Sequence, residues 1–309
     1  RRSGAGPCAR YAWGKGKLAA IMLWVGGMLI ACPSEPASEA KKKAAEAFGC
    51  KDAGEVAGYA RCAAGREKGG LKVAQPAGLR SIEGKLSPRQ HCSKGRMPAT
   101  PAEPGKILSQ GEQGEEQPKE GRKACQSGCG LLLHIIRWAR QEALNAAREL
   151  AGHMHKPATK HMKAMRRCMS YLTPTPGRGY AARPSREWGG SGSSKLRLLG
   201  KSGSEYLAGP GCKSASGWPI FLEGCCLAAR PKKMPARALP AAEAELCAAA
   251  QCAQDLMFAW RILACMGLAV EFPVALEIGS KGAVGLRSSW PAGGRARHIS
   301  GKQYFLRGL

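Results

Sequence analysis

Aspartate is almost missing from this sequence of 309 residues, where it occurs at Asp52 and Asp255 and nowhere else. Asparagine occurs once, at Asn145, whereas glycine occurs 41 times. In the genetic code, Asp→Gly, Asn→Ser and Thr→Ala are each single A-to-G changes. The shortage therefore suggests biased mutation or editing as a hypothesis, and it leaves few residues for any chemistry that needs clustered aspartates.

Aromatic residues make up only 6% of the chain, and none of the 14 cysteines belongs to a Cys-x-x-Cys motif. The closest pairs include Cys225-Cys226 and Cys125-x3-Cys129. This spacing is typical neither of a zinc site nor of a small disulfide scaffold. We interpret the cysteines as mostly buried or incidental thiols, which predicts an intracellular location (cytoplasm or nucleus) in a reducing compartment.

A long apolar run is also missing. Residues 18–32 are mostly apolar, but Gly26 and Gly27 interrupt them and the run is shorter than the ~20 residues that span a bilayer. Basic residues before the run and the segment 29–32 imitate a signal peptide with a lipoprotein cleavage box. An exported or lipid-anchored, basic, cysteine-containing protein therefore stays open as the alternative hypothesis.

Positive charge is abundant. The chain has 48 Lys and Arg against 22 Asp and Glu, which gives a formal net charge of +26. Such a field favours nucleic acid or another polyanion as a partner and makes binding salt-dependent. The simpler explanation is a chain that has lost acidic residues.

The first part of the chain predicts a mixture of strands and helices. Apolar residues around Gly26 and Gly27 predict two strands joined by a Gly-Gly turn. Capping residues and charge spacing predict a helix over 34–48. Further on, the sequence predicts strands at 55–62 and 70–75 around a turn at 65–69, a short helix at 75–86, and an exposed connection over 87–122.

The second part predicts helices and then a mixed sheet. Apolar residues three and four apart predict helices, whereas Pro-, Gly- and Ser-rich residues predict a boundary at 173–194. The predicted elements are helices at 131–140, 142–154 and 159–172, strands at 196–201, 218–222 and 225–230, a long helix at 240–266, a strand at 274–278 and a helix at 297–307. This order predicts an α/β (α+β) fold.

An ordered set of short motifs carries a family resemblance. The motifs are Gly200-Lys201-Ser202, Ser204-Glu205-Tyr206, Lys213-Ser214-Ala215-Ser216-Gly217-Trp218, Phe221-Leu222-Glu223-Gly224, Ala242-Glu243-Ala244-Glu245-Leu246, Gln251-Cys252-Ala253-Gln254-Asp255, Lys281-Gly282-Ala283-Val284, Arg297-His298-Ile299 and Gln303-Tyr304-Phe305-Leu306-Arg307. In this order and spacing they resemble the ribonuclease H domain of a copia-type LTR retrotransposon polyprotein.

The resemblance continues upstream. Residues 17–32 resemble the catalytic hairpin of a reverse transcriptase, 69–76 the hairpin that supports the primer end, and 144–150 with 161–165 the helices after the palm. The resemblance implies a palm remnant over 1–86, a linker over 87–122, thumb or connection helices over 123–194, and a ribonuclease H-like domain with a mixed sheet and flanking helices over 195–309.

Both activities of the family need paired Mg2+ ions, which take carboxylate ligands. The resemblance places the polymerase aspartate pair at Gly26 and Gly27. It places the four ribonuclease H acids at Gly203, Glu245, Gly279 and Ser300, so that only Glu245 keeps a carboxylate. We therefore predict a protein without catalysis, with no metal site and no cofactor.

Residual nucleic-acid binding is the remaining expectation. In a polymerase-derived thumb, Arg166 and Arg167 would contact the backbone of RNA, DNA or an RNA–DNA hybrid, and we expect neither a membrane nor a small-molecule substrate as partner. A third hypothesis is a surviving nuclease that uses Glu205, Glu243 and Glu245.

Overall fold

The chain was described from a computed structural model. The described residues are 4, 8–14, 16–24, 27–32, 34–59, 62–86, 97–112, 114–186, 194–209, 213–234, 241–281, 284–285 and 305–306.

An antiparallel sheet of three strands begins the chain, in the order β1-β2-β3. The strands are β1 Ala9–Gly14, β2 Lys17–Trp24 and β3 Gly27–Ala31. Trp24 pairs with Gly27, so Gly27 is the first residue of β3 and the predicted Gly-Gly turn is wrong at this position. Gly26 lies outside the described residues. Helix α1 Ser34–Phe48 follows and confirms the predicted helix at both ends.

A second antiparallel sheet has the order β4-β5-β6-β7. Its strands are β4 Gly58–Tyr59, β5 Cys62–Glu67, β6 Gly70–Ala74 and β7 Tyr180–Ala182. The turn predicted at 65–69 is wrong in its first half, because Glu67 pairs with Gly70 and the turn is confined to Lys68 and Gly69. Strand β7 comes from the Pro- and Gly-rich boundary region, where pairing with β6 rather than local composition makes the strand.

Four helices build one hydrophobic core. They are α2 Pro76–Leu86, α3 Lys119–Trp138, α4 Leu144–Ala151 and α5 Thr159–Leu172. Helix α3 begins at Lys119, within the predicted linker, and is longer than the predicted helix at 131–140. Its buried stripe starts at Cys125 and Cys129 and continues to Leu132. The glycines of this helix, which are poor helix formers, conceal that stripe in the sequence.

A mixed sheet of four strands, in the order β10-β9-β8-β11, makes up the last part of the described fold. The strands are β8 Leu198–Gly209, β9 Lys213–Leu222, β10 Cys225–Lys233 and β11 Ala275–Ile278, and helix α6 Ala241–Cys265 precedes β11. Strand β8 is antiparallel to β9 and parallel to β11. The predicted long helix and the strand at 274–278 are therefore confirmed to within one residue, whereas the helix predicted at 297–307 lies outside the described residues except at 305 and 306.

Helix α6 packs against one face of this sheet. Leu198, Trp218 and Ile220 of the sheet share a core with Cys252 and Leu256 of the helix. A Cβ atom at Gly200 would lie 2.7 Å from both Cys252 Sγ and Leu256 Cδ1, so glycine permits the close approach of the helix to β8. The fold is thus of the mixed α/β class, and none of the helices among the described residues is long and apolar enough to cross a membrane.

Candidate functional site

Glu245 connects helix α6 to strand β8. Its Oε1 accepts a hydrogen bond of 3.0 Å from the backbone N–H of Ser204. Its Oε2 is buried and has no hydrogen-bond partner. The carboxylate therefore has one oxygen committed to the sheet and one buried oxygen that is free to accept a donor or a cation.

Gly203 and Gly279 lie beside this carboxylate. Gly203 is the β8 residue next to Ser204. The parallel pairing of Ile278 with Ser202 brings the end of β11 alongside, and the N–H of Gly279 donates to the carbonyl of Ser202 over 3.3 Å. Three of the four acid positions implied by the resemblance therefore meet around 202–204, while Ser300 lies outside the described residues.

Room for longer side chains is present at both glycines. A Cβ atom at Gly203 would have no heavy atom within 4 Å, and one at Gly279 would lie 3.9 Å from the carbonyl oxygen of Ser202. Aspartate would therefore fit at both positions without displacing the backbone. Both positions therefore leave space and are not filled by hydrophobic side chains of the described residues.

The other two glutamates of the third hypothesis lie differently. Glu243 is buried, and it stands two residues before Glu245, on another face of the helix. Glu205 is exposed on β8. Within the described ranges, no group of three or more His, Cys, Asp or Glu side chains could hold a metal ion. A single carboxylate cannot coordinate the two ions that paired-metal chemistry needs.

The predicted polymerase position carries no acid. Gly27 starts β3 and a Cβ atom there would meet nothing within 4 Å. Asp52, the one aspartate of the first half of the chain, lies elsewhere: its carboxylate pairs with Lys41 Nζ at 3.0 Å and accepts from the N–H of Gly54. These contacts lower the pKa of Asp52, the hydrogen bond from Gly54 most strongly. Asp52 therefore stabilises a local turn.

Arg166 and Arg167 line a groove of about 990 Å³ between the segment 98–109 and helices α4 and α5. We call it the basic groove. Five cationic side chains and two carboxylates line it: Lys106, Lys160, Lys163, Arg166, Arg167, Glu103 and Glu149. None of the lining residues is aromatic. The groove therefore offers charge to phosphate groups and no ring on which a base could stack.

Some of these cations are committed to protein groups and others are not. Lys106 pairs with Glu103, and Arg167 donates from Nη2 to Thr100 Oγ1 over 3.1 Å. The Nε of Arg167 is buried without a hydrogen-bond partner. Lys163 and Arg166 form no salt bridge with any described residue. Among the groove cations, Lys163 and Arg166 are therefore the two that form neither a salt bridge nor a hydrogen bond with a described residue.

Burial, the largest influence, raises the pKa of Glu149. The nearby Glu205 raises it further, whereas Arg148 and a hydrogen bond from the backbone of Leu108 lower it. The groove is thus lined by one carboxylate that is neutralised by Lys106 and by a second that gains a proton more readily than usual. The net charge of the side chains that line the groove is therefore positive.

Two histidines that we did not predict as functional hold the wall of the basic groove. The rings of His153 and His161 stack with centroids 4.5 Å apart and planes inclined by 14°. His153 Nε2 lies 3.2 Å from the carbonyl oxygen of Leu108, and His161 Nε2 lies 2.9 Å from that of Ser109. In the sequence His153 only flanks a helix end and His161 lies within a predicted helix, and no local signal indicates the partners 45 and 52 residues away.

The cysteines are free thiols at all twelve positions that the structure describes. Burial raises the pKa of the Cys129 thiol to about 11 and that of the Cys168 thiol to about 12. Both lie in the helical core. They therefore behave as apolar packing groups, since the reactive form of cysteine is the thiolate.

The fold and the two regions just described define a mixed α/β protein with a single carboxylate, that of Glu245, between α6 and β8, and a cationic groove elsewhere. Comparison of the chain with protein-family models, with curated proteins and with solved structures gave no match.

Proposed function

We propose that the chain is a degenerate copy of the reverse transcriptase and ribonuclease H region of a copia-type retrotransposon, without catalysis and with residual binding to nucleic acid. One observation carries this proposal. The resemblance assigns acid positions at 203, 245 and 279, which are 42 and 34 residues apart in the sequence, and these residues meet around Ser202 and Ser204 in the fold. The order and spacing of the motifs are independent of this proximity.

The shortage of carboxylates at the assigned positions explains the proposed loss of catalysis. The proposed ancestor would hold two Mg2+ ions, which activate the attacking oxygen and stabilise the leaving one. Of the three assigned positions that meet here, Glu245 alone carries a carboxylate, and one of its oxygens already accepts from Ser204. The net charge of the whole chain, +26, further disfavours divalent cations.

Restoring the acids tests the family assignment. In the double variant Gly203→Asp, Gly279→Asp, three carboxylates would surround 202–204, because both positions have room for a side chain. We expect Mn2+ to raise the melting temperature of this variant and to leave that of the wild type unchanged, since a ligand stabilises only the folded state that binds it. Adding Glu245→Gln should abolish the effect. A double variant that folds and ignores Mn2+ would contradict the assignment.

Nucleic-acid binding is tested at the basic groove. Replacing Lys163 and Arg166 with Gln removes two cations that have no described salt bridge, so folding should be preserved. Fluorescence anisotropy against an RNA–DNA hybrid should show weaker binding and a slope of log K on log salt that is reduced by about 2. The matched control, Lys123→Gln with Arg137→Gln, removes the same charge from exposed positions of α3 outside the groove.

Two results would refute the binding proposal. The first is a wild-type protein that shows no salt-dependent binding at low ionic strength. The second is an equal loss in the groove variant and in the α3 control, which would mean that net charge and not the groove governs binding.

A further inference from the structure

A tight turn presents a carboxylate to the basic groove. The turn consists of Glu103, Pro104, Gly105 and Lys106, and the N–H of Lys106 donates to the carbonyl of Glu103 over 3.3 Å. Gly105 has a φ of 73°, which is typical of the third residue of a type II turn, and proline suits the second position. The sequence of these four residues therefore favours the turn, and the side chains of its first and last residues line the groove.

The segment before the turn is attached to helix α5 through Thr100. The Thr100 hydroxyl donates to the carbonyl of Ala102 over 2.6 Å and accepts from Arg167 Nη2 over 3.1 Å. Arg167 belongs to α5, the helix that supplies most of the groove cations. This connection keeps the carboxylate of Glu103 on the same groove as those cations.

Glu103 already interacts with two cations of the groove. Its carboxylate forms a salt bridge with Lys106 Nζ. The hydrogen bond from Lys106 lowers the pKa of Glu103 most, and the charges of Lys106 and Arg167 lower it further. Both cations thus stabilise the ionised carboxylate. The side chain of Lys106 is 76% exposed and that of Glu103 46%, so water weakens the pair and a stronger anion can displace it.

The second carboxylate of the groove has other partners. Glu149 forms a salt bridge with Arg148 Nη2 at 3.9 Å and accepts a hydrogen bond from the backbone of Leu108. None of these contacts involves Lys106 or Arg167. Glu103 is therefore the carboxylate of the groove that occupies these two cations.

We infer that Glu103 is an internal competitor for the phosphate groups that the basic groove binds. A phosphate accepts from the same N–H donors as a carboxylate, so it must displace Glu103 to reach Lys106 and Arg167. A ligand with several phosphates contacts Lys163 and Arg166 at the same time, and this multivalent binding favours the displacement. The identity of the ligand as nucleic acid rests on the proposed function, whereas the competition holds for any polyphosphate.

Replacing Glu103 with Gln removes the competing charge at an exposed position, so folding should be preserved. The freed Lys106 would add about one phosphate contact. In fluorescence anisotropy with an RNA–DNA hybrid, affinity should rise about five- to tenfold at about 0.1 M salt, and the slope of log K on log salt should become steeper by about 1. Glu103→Asp keeps the charge and should bind as the wild type does.

Glu39→Gln is the matched control. Glu39 forms a salt bridge with Lys43 Nζ at 2.7 Å on α1, outside the groove. The control raises the net charge by the same amount and frees a lysine in the same way, so its affinity should change by less than about twofold. An equal gain in Glu39→Gln and Glu103→Gln would overturn the inference, and so would an unchanged salt slope in Glu103→Gln.

Tripolyphosphate separates the inference from the proposed function, because it contains no nucleoside. In isothermal titration calorimetry it should bind Glu103→Gln more tightly than the wild type or Glu39→Gln, by a factor similar to that measured with the hybrid. Equal affinities in the three proteins, or no binding to Glu103→Gln, would overturn the inference. If the hybrid binds none of the proteins, the proposed function fails, while the tripolyphosphate titration still decides the role of Glu103.

Discussion

Replacing Gly128 with alanine would place a methyl group into the core formed by α3 and α5. The new Cβ would collide with Met165 Sδ and would lie 3.0 Å from Met169 Cε and 3.1 Å from Met165 Cε. Met165 and Met169 are themselves fully buried, so their side chains have little space into which to withdraw. The neighbouring Gly130 offers a matched control in the same helix, because a Cβ there would meet nothing within 4 Å.

The magnitude follows from two opposing terms. Alanine in place of glycine inside a helix stabilises by about 1 kcal/mol at either position. Overpacking a core costs about 1–3 kcal/mol, and the flexibility of methionine places Gly128→Ala in the lower half of that range. We therefore expect Gly130→Ala to stabilise by about 1 kcal/mol and Gly128→Ala to be neutral or to destabilise by up to about 1 kcal/mol.

Urea unfolding at pH 7.5 under reducing conditions, followed by circular dichroism, measures both variants. The informative quantity is the difference in unfolding free energy between them, because the gain in helix propensity cancels and the cost of overpacking remains. A Gly128→Ala protein as stable as Gly130→Ala would refute the packing of α3 against Met165 and Met169. Unequal m-values would show that the two variants do not unfold to comparable states.

Three further predictions concern other parts of the chain. Arg140 is 1% exposed, pairs at 2.6 Å with Glu142, which is 31% exposed, and donates to the carbonyls of Leu172 and Thr175. Arg140→Met should therefore cost about 1–3 kcal/mol in urea unfolding, because it leaves buried carbonyls without their donor, and Arg140→Lys should cost less, since it keeps the charge. The pKa values of His153 and His161 are lowered in the folded chain, so the unfolded chain takes up protons first as the pH falls below about 6.5. The free energy of unfolding should then decrease by up to about 1.4 kcal/mol for each histidine and pH unit. A urea midpoint that depends equally on pH in the His153→Gln, His161→Gln double variant would contradict this expectation. A thiol reagent added to the native protein at pH 8 should modify the exposed Cys8 and Cys50 long before the buried Cys125, Cys129, Cys168 and Cys252. Early modification of the last four, detected by mass spectrometry, would be inconsistent with their burial.

Local signals in the sequence predicted much of the secondary structure. Helix α1 follows from its capping serine and charge spacing, and α6 from an apolar stripe that includes Leu246, Ala249 and Leu256. Both depend on contacts within a few turns, which a single stretch of sequence contains. In the last sheet the strands predicted at 196–201 and 218–222 were too short, because β8 continues to Gly209 and β9 already begins at Lys213, where pairing between the two strands outweighs the many small residues.

Elements that depend on distant partners were missed or misplaced. Strand β7 has a loop-like composition and becomes a strand only by pairing with β6, more than 100 residues earlier. Helix α3 has three glycines, and its burial against Met165 and Met169 outweighs their low helix propensity. In both elements, contacts with distant residues outweigh the secondary-structure preference of the local sequence.

The sequence by itself determined which groups are present: one carboxylate among the acid positions assigned by resemblance, a large excess of positive charge, and thiols without metal-binding spacing. Only the tertiary structure decided which of these groups meet. The parallel pairing of β11 with β8 brings Gly279 to Gly203, and the packing of α6 adds Glu245. The stacking of His153 on His161 likewise depends on the segment around Leu108, because hydrogen bonds and ring contacts between distant residues form only once the chain has folded.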